Sequence, residues 1–411
     1  MSAVTEASAD RANAGGVLCR AGPSRAGLAP AVALVLLVSA CAGSDRSRQP
    51  GETDSVGSSR EDVPSALDNP SDPVFPDPLI DLDHLVSGGP PPDGIPPIDH
   101  PTFQPADQVD WLEDREPLLS LTVGGETRGY PLQVMTWHEI VNDTIDGTPV
   151  TVTYCPLCNS GVAFHRKVGE RLLDFGTSGM LYADNLVMYD RQTESLWPQL
   201  TGQAAVGVLT GTELEAIPIG VVGWDQFRSG HPDAPVLTRD TGFDRDYGRN
   251  PYVGYDEPDG GLLVTPPGGT DNRLPVKERV IGILIGDDAL SVLRSQVAGE
   301  EVLEVGVGGR DLVLWHLPGQ ASALDTEQIP DGKDIGTIAV FEPRVDGREL
   351  TWRRHDDVFV DDQTGSEWNV LGESTAGPLR GTRLQRQRHL DTYWFAWVAF
   401  QPTTTLHPAP Q

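Results

Sequence analysis

The chain has 411 residues and a formal net charge of −30, because 60 aspartates and glutamates oppose 30 lysines and arginines. A surface of this charge repels nucleic acid and anionic lipid headgroups, so neither is expected as a partner.

The N-terminal residues 1–40 are predicted to be an export signal. Arginines precede the apolar run GLAPAVALVLLVSA, which is too short to span a bilayer and favours a cleaved signal over a transmembrane helix. Residues 38–41, VSAC, resemble a bacterial lipobox, which implies cleavage before Cys41 and a diacylglyceryl group on its thiol. The mature protein would then be lipid-anchored at the extracytoplasmic face of the cell membrane. The alternative is an ordinary signal with a chance cysteine.

Two segments rich in polar residues and proline precede the first predicted strand. Residues 41–76 have almost no apolar periodicity and are predicted to be a flexible tether. Residues 88–105 contain too much proline for a helix or a central strand, so an extended surface segment is expected there. The rest of the chain is predicted to form a first unit, residues 77–270, and a second unit, residues 271–411.

The first unit is predicted to be an α+β fold, rich in strands with a few helices. Runs such as LLSLTV end at glycine and an acid, which is a hairpin signal, and PVTVTY, GVAFHR and NLVMYD alternate or are β-branched. The stretch PLQVMTWHEIVND is predicted to be a short helix with Pro131 in its first turn. On one helix, His138 and Asn142 would lie on the same face.

The second unit repeats the pattern of the first. DRQTESLW at residues 190–197 returns as DDQTGSEW at residues 361–368, and five positions downstream match at a constant offset of 170. A tandem duplication is therefore predicted, with two related β-dominated units packed around a pseudo-twofold axis. The extra residues of the first unit are expected around residues 165–187 and 236–270.

The candidate site is TVTYCPLCNSGVAFHR, residues 151–166. Its cysteines lie between two predicted strands, unlike the CxxC that opens a helix in thioredoxin-like proteins. This arrangement is closer to a metal knuckle of the rubredoxin or zinc-ribbon kind, and the alternative is a local disulfide or inert thiols. After loss of the signal and lipidation of Cys41, only these two cysteines remain unmodified, too few for a disulfide framework. The matching stretch of the second unit, LWHLPGQASALD, has no cysteine, which indicates a site built once on a repeated scaffold.

A metal knuckle needs further ligands, and His138 is the first candidate because it precedes the knuckle strand. HEIVND has Asn142 where the zinc-protease motif HExxH has its second histidine, which argues against that class. The predicted metal site therefore consists of Cys155, Cys158 and His138. The weaker candidate ligands are His165, Asp143 and Met188. Cysteine, histidine and methionine suit copper, whereas cysteine and histidine with water suit zinc. The alternatives are a satisfied buried histidine and a methionine that packs in the core.

Five motifs occur in a fixed order over about residues 94–402: GIPPIDHPTF, YPLQVMTWHEIVND, YCPLCNSGVAF, FGTSG and NLVMYDRQTESLWPQ. Together they closely resemble the bacterial and archaeal DUF3179 family of unknown function. The family has no settled activity, but the resemblance implies that its defining residues include the predicted site. On this sequence those residues are His138, Glu139, Asn142, Asp143, Tyr154, Cys155, Cys158, Ser178, Asp190, Arg191, Thr193, Ser195 and Trp197. The second unit keeps most of the DRQTESLW pattern, which favours a turn cap, but it has Asp362 in place of Arg191.

Three functions are compatible with these residues. The first is a lipid-anchored extracytoplasmic protein whose Cys/His site binds a soft metal, copper or zinc, and takes part in redox chemistry, with Glu139 or Asp143 supporting the ligands. The second is a thiol–disulfide oxidoreductase in which the histidine tunes a thiolate. The third is a non-enzymatic scaffold that binds a protein, glycan or small-molecule partner. The candidate catalytic residues are Cys155, Cys158, His138, Glu139 and Arg191.

Overall fold

The structure, a computed structural model, describes residues 59–258 and 260–408. The predicted signal, Cys41 and the first part of the predicted tether lie outside the described residues. Within the described ranges, no helix is both long and apolar enough to cross a membrane. Strands dominate there, and the four α-helices have seven residues each, which confirms the predicted β-rich α+β class.

The first half of the described chain contains strands β1 to β15. In chain order they are β1 (Leu85–Ser87), β2 (Phe103–Pro105), β3 (Pro117–Val123), β4 (Glu126–Pro131), β5 (Ile140–Ile145), β6 (Thr148–Cys155), β7 (Ser160–His165), β8 (Lys167–Val168), β9 (Arg171–Leu172), β10 (Phe175–Tyr182), β11 (Asn185–Asp190), β12 (Leu196–Pro198), β13 (Ala216–Ile217), β14 (Ile219–Gly223) and β15 (Pro235–Leu237). Helix α1 (Leu132–His138) follows β4, and helix α2 (Trp224–Gly230) follows β14.

The second half contains strands β16 to β28. In chain order they are β16 (Arg279–Ile285), β17 (Asp288–Leu293), β18 (Val302–Val307), β19 (Arg310–Leu317), β20 (Thr337–Phe341), β21 (Arg344–Val345), β22 (Arg348–Glu349), β23 (Trp352–His355), β24 (Val358–Asp361), β25 (Glu367–Trp368), β26 (Ser374–Ala376), β27 (Leu390–Tyr393) and β28 (Thr405–Leu406). Helix α3 (Arg294–Glu300) follows β17, and helix α4 (Trp394–Phe400) follows β27.

Each half has three larger sheets with a closely similar strand order. In the first half the orders are β14-β3-β4-β15-β2, β13-β7-β6-β5 and β1-β10-β11-β12. In the second half they are β27-β16-β17-β28, β18-β19-β20 and β23-β24-β25-β26. In both halves a late strand joins its sheet in the parallel direction, β15 on β4 and β28 on β17. This shared order agrees with the predicted repeat, whereas the duplication itself stays a prediction.

The two halves contact each other reciprocally. Strand β14 contacts β20, and its counterpart β27 contacts β7, the counterpart of β20. Among the described residues, three hydrophobic cores take side chains from both halves: Phe227 is in one core with Phe341, Cys158 in another with Trp394, and Met135 in the third with Leu324. Because each core is shared, separating the halves would expose apolar surface on both of them.

One difference in length between the halves lies next to the cysteines. Residues 156–159 connect β6 to β7, whereas residues 318–336 connect β19 to β20. The sequence comparison expected the extra residues in the first unit and missed this longer connection in the second. Aligning LWHLPGQASALD residue by residue with the cysteine stretch hid this longer connection. The two sequences correspond only as far as the ends of β6 and β19.

The repeated motif of aspartate, threonine and tryptophan is a structural turn in both halves. Asp190 accepts hydrogen bonds from the Thr193 amide at 2.7 Å and the Trp197 indole at 2.9 Å. Asp361 accepts the equivalent bonds from the Thr364 amide at 2.6 Å and from a tryptophan indole at 3.1 Å. The motif therefore fixes a turn and buries an indole, as the turn-cap interpretation expected.

The predicted helix PLQVMTWHEIVND is correct only in its first part. Helix α1 ends at His138, since Glu139 adopts a left-handed conformation with φ 59°. The β-branched residues that follow continue as β5, so Asn142 lies on a strand and does not share a helix face with His138. The prediction failed because an apolar run of this length fits either a helix or a strand.

The described part of the predicted tether, residues 59–76, lies against the first half. Ala66 is fully buried, the Glu61 amide donates to the Gln192 carbonyl at 2.7 Å, and the Glu61 carboxylate pairs with Arg171 at 2.7 Å. The tether prediction is therefore corrected for this stretch. Backbone hydrogen bonds and ion pairs hold it, and neither leaves a periodic apolar pattern in the sequence.

Candidate functional site

The two cysteines lie in the tight turn between β6 and β7. Cys155 is the last residue of β6, and Cys158 precedes Asn159, whose φ of 51° reverses the chain into β7. Both thiols are free, with 1% of Cys155 and none of Cys158 exposed to solvent. The strand–turn–strand knuckle expected from the sequence is present, and both of its cysteines are buried.

The backbone and side chains at the start of β11 make hydrogen bonds to both sulfur atoms. The Leu186 amide donates to Cys155 Sγ at 3.4 Å, and the Asn185 side-chain amide donates to Cys158 Sγ at 3.3 Å. The Cys158 thiol donates in turn to the Asp184 carbonyl at 3.4 Å. These polar groups satisfy sulfur atoms that the core would otherwise leave without partners.

The environment pushes the pKa values of the two thiols in opposite directions. Burial raises the pKa of Cys158 well above its usual range, and the neighbouring Cys155 raises it further. Burial also acts to raise the pKa of Cys155, but the neighbouring Cys158 and the hydrogen bond from the Leu186 amide outweigh it and lower that pKa. Cys155 is therefore the sulfur that ionises first.

A buried carboxyl group lies beside this pair. Glu139 is 6% exposed, and burial together with the charge of Cys155 raises its pKa well above the usual range. Within the described residues its carboxyl group makes no hydrogen bond or ion pair. Its counterpart Glu301 has a similar left-handed φ of 64° but pairs with Arg354 at 2.6 Å. The unpaired buried acid therefore belongs to the cysteine-bearing half.

His138 is held away from the two sulfur atoms. Its Nδ1 is hydrogen-bonded to the Pro96 carbonyl at 2.7 Å, and its Nε2 to the Tyr247 hydroxyl at 2.6 Å. Burial lowers its pKa to about 4. Both ring nitrogens thus have partners, as in the alternative of a satisfied buried histidine.

The predicted three-ligand arrangement is not assembled within the described ranges. The group of histidine, cysteine or acidic side chains whose ligand atoms lie within 4.8 Å of one another there consists of Asp256, Glu257 and Asp325. Neither His138 nor Glu139 forms such a group with the two cysteines. The reason is the left-handed turn at Glu139, which separates the helix that carries His138 from the strand that leads to the knuckle.

The weaker candidate residues have different surroundings. Asp143 pairs with Arg128 at 2.8 Å and accepts from the Tyr130 hydroxyl at 2.6 Å, so it serves as an ion-pair partner. Met188 is fully buried in the same hydrophobic core as both cysteines, whereas His165 is partly exposed at the end of β7.

Arg191 forms a separate polar cluster. Its guanidinium pairs with Asp99 at 2.7 Å and with Asp93 at 3.1 Å. Asn142 also contacts Asp99, at 2.8 Å. Residues of the HEIVND and MYDRQ motifs thus anchor the proline-rich segment before β2, which explains them without a role at the sulfur atoms.

A cover segment, residues 252–258 and 260–277, closes the site. The Asp184 carboxylate accepts hydrogen bonds from the amides of Leu263 at 2.8 Å and Val264 at 2.6 Å, and from the Tyr255 hydroxyl at 3.3 Å. Lys277 Nζ lies 3.4 Å from the centre of the Tyr255 ring. Sequence reasoning missed Asp184 because it occupies a hairpin turn, where an aspartate ordinarily needs no further explanation.

The second half contributes the other wall. The Thr392 hydroxyl and the Tyr393 amide donate to the Cys158 carbonyl at 2.8 and 3.2 Å. The Asn159 side chain bridges the two halves, accepting from Tyr154 at 2.9 Å and donating to the Tyr393 hydroxyl at 3.3 Å. The cysteine-free half therefore supports the site although it carries no equivalent of it.

Comparison with known proteins gives one match. No curated protein and no solved structure matches the chain. A family profile described as a protein of unknown function, DUF3179, matches residues 92–404, which is most of the chain and includes every residue described above at the sulfur site. The chain belongs to the DUF3179 family.

Proposed function

We propose that this protein binds a soft monovalent metal ion, Cu(I), through the thiolates of Cys155 and Cys158. The observation that carries the proposal is the pair of free, buried cysteines in one strand–turn–strand knuckle, with hydrogen-bond donors aimed at both sulfur atoms. Thiolates are the ligands that soft metal ions prefer in proteins.

The number of available ligands favours copper over zinc. Structural zinc sites take four ligands, and catalytic sites take three with a water molecule. Among the described residues, no third histidine, cysteine or acidic side chain lies close enough to complete such a set with the two cysteines. Two thiolates alone suit a soft monovalent ion, and the buried Met188 in the same core offers a soft thioether nearby.

The surroundings of the sulfur atoms fit a thiolate ligand. Metal binding requires deprotonated cysteine, and the lowered pKa of Cys155 reduces the cost of losing that proton. Amide hydrogen bonds to sulfur tune a metal–thiolate site and hold its geometry. The burial of both cysteines would also keep bound Cu(I) from water and oxidants.

Thiol–disulfide exchange is the second candidate, favoured by the opposite pKa shifts of the two cysteines. The Cys155 thiolate would attack one sulfur of a substrate disulfide and displace the other sulfur as a thiolate. Cys158, after losing its proton, would attack Cys155 and release the second substrate thiol. The protein dithiol is oxidised and the substrate disulfide is reduced, with Glu139 as a nearby carboxyl group for the proton. Burial of both thiols restricts this chemistry to small substrates unless the cover segment moves.

Metal titration separates these candidates. The reduced protein is titrated anaerobically with Cu(I) against a chromophoric chelator, together with Cys155→Ser, Cys158→Ser and His138→Gln. We expect one tightly held ion per chain, lost in both serine variants and kept in His138→Gln. Circular dichroism of each variant controls for folding. Equal copper binding by the wild type and both serine variants would contradict the proposal, whereas a disulfide in protein isolated without reductant would favour the second candidate.

The cellular location of the protein and its origin by tandem duplication are part of the same proposal. The lipobox at residues 38–41 supports a lipid-anchored protein on the extracytoplasmic face, where the partner that exchanges metal would be a protein or a small molecule. The matching element order of the two halves supports a tandem duplication in which only the first copy kept or acquired the cysteines.

A further inference from the structure

A cleft of about 240 Å³ lies between the two halves, away from the cysteines. The first half contributes two hydroxyl side chains of β3 and His231 after α2, and the second half contributes acidic and basic side chains from the segment before β27. The polar lining residues are Ser120, Thr122, His231, Glu373, Arg383 and Arg386. Leucine and proline side chains form the rest of the wall.

Arg386 is the unusual member of this lining. Its Nη1 is buried without a hydrogen-bond partner, and no described side chain forms an ion pair with its guanidinium. The group lies 5.2 Å from the centre of the Phe341 ring, and Gly220 leaves the space that its Nη1 occupies. Burial lowers the pKa of Arg386 to about 10, so the group remains charged at neutral pH. Burying a charged donor without a partner is costly, and because Arg386 as a whole is only partly buried, its side chain also lines the cleft, where an anion can pair with it.

The acidic group in the cleft acts on Arg386 through its charge but makes no ion pair with it. Glu373 pairs with Arg383 at 2.9 Å and lies 3.6 Å from His231, so its charge already has a partner. The cleft therefore keeps an excess of positive charge although the chain as a whole carries −30.

The equivalent cleft on the other side of the molecule provides an internal comparison. It has a volume of about 330 Å³, and the first half contributes Thr201, Gln203 and Glu213 to it. Glu213 occupies the place that Arg383 has in the first cleft, and the counterpart of Arg386 is Ala216. Arg383 and Arg386 therefore have no arginine counterparts at the matching positions, and the second cleft has a different arginine, Arg388, which the second half contributes.

We propose that the first cleft binds a small oxyanion, a carboxylate or a phosphate group, with Arg386 as its main ionic partner. A guanidinium offers planar paired donors that match both kinds of oxyanion. The hydroxyl groups of Ser120 and Thr122 line the opposite wall, and the volume accommodates a small organic acid as well as a free anion.

Arginine side-chain NMR tests this site. Full-length protein labelled with ¹⁵N-arginine is titrated with inorganic phosphate and, separately, with acetate, each at constant ionic strength maintained with chloride. The variants are Arg386→Gln, Arg383→Gln and the control Arg380→Gln, which removes an exposed arginine of the same segment that does not line the cleft. The resonance lost in Arg386→Gln identifies Arg386.

We expect a saturable shift of the Arg386 resonance with at least one of the two anions. The affinity should fall by about tenfold or more in Arg386→Gln and by a smaller factor in Arg383→Gln, and it should be unchanged in Arg380→Gln. The anion that saturates distinguishes a phosphate from a carboxylate ligand. If Arg386→Gln does not fold, the anion affinities of Arg383→Gln and Arg380→Gln are compared instead, and the proposal requires a lower affinity in Arg383→Gln. No saturable shift, or an equal loss in Arg380→Gln, overturns the proposal.

Discussion

Changing Asp184 to asparagine should open the cover segment and expose the cysteines. The Asp184 carboxylate holds the amides of Leu263 and Val264, while its own carbonyl accepts from the Cys158 thiol. Its φ of 56° is left-handed, a conformation that asparagine adopts readily, so Asp184→Asn leaves the backbone unstrained. The substitution replaces one acceptor oxygen by an NH₂ group that faces an amide donor.

The expected effect follows from that single lost bond. A hydrogen bond to a charged group contributes about 1.5–3 kcal/mol, and a loss of about 2 kcal/mol raises the local opening constant by about thirtyfold. Burial raises the pKa of Asp184, and the amide donors oppose this shift. The increase in opening caused by Asp184→Asn should therefore be largest at pH values at which the wild-type carboxylate is charged.

The assay is the rate at which a small alkylating reagent modifies the two cysteines in the reduced, folded protein. When closing is faster than modification, this rate is proportional to the opening constant, so Asp184→Asn should react about thirtyfold faster. Urea unfolding of the same variant shows how much of the increase comes from global destabilisation.

Tyr255→Phe provides the matched control, because it removes only the longest bond to Asp184, at 3.3 Å, and keeps the ring in place. Its rate should rise by less than about threefold. A wild-type rate in Asp184→Asn, or equal rates in the two variants, would refute the claim that this carboxylate holds the cover over the thiols.

Three further predictions concern other parts of the chain. Burial raises the pKa of Glu116 from 4.5 to about 7 although two hydrogen bonds oppose it, so wild-type stability should fall by about 3 kcal/mol as the pH rises from 4.5 through 7. The free energy of unfolding, measured with urea at pH 4.5 and 8.5, should not show this decrease in Glu116→Gln. An equal decrease in the wild type and the variant would contradict the prediction. Cys41→Ala should release the protein from the membrane fraction or leave the signal uncleaved, and an unmodified, soluble wild type would reject the lipobox. In a crystal structure, residues 117–237 and 279–406 should superpose on their shared strands. If the strands of the two ranges do not follow the same order, the duplication hypothesis is wrong.

Much of the site could be predicted because its chemistry lies in one short stretch. The sequence CPLC between two β-rich runs predicted the knuckle, and the absence of cysteine from the second unit predicted a single site. The structure confirms the β-rich class and brings Cys155 and Cys158 together in the core. His138 was predicted as a third ligand because it precedes the knuckle strand, and its hydrogen bonds to Pro96 and Tyr247 depend on contacts that this local argument could not include.

The remainder depends on contacts between distant parts of the chain. Asp184 and Thr392 hydrogen-bond to the cysteine turn from two separate segments, Lys277 acts on Asp184 from a third, and no local pattern marks them. The same holds for Arg386, which is one arginine among several in the run RGTRLQRQRH until the fold places it in a cleft without a partner. Glu139 was already a candidate from the HEIVND motif, but its burial beside Cys155 depends on the fold.

X-ray absorption at the copper edge tests the central proposal most directly. The reduced protein is loaded with one equivalent of Cu(I) and measured beside Cys155→Ser and His138→Gln. We predict a Cu(I) ion whose first shell contains sulfur only, identical in His138→Gln and absent from washed Cys155→Ser. An imidazole nitrogen in the first shell that disappears in His138→Gln, or copper retained equally by Cys155→Ser, would contradict the account.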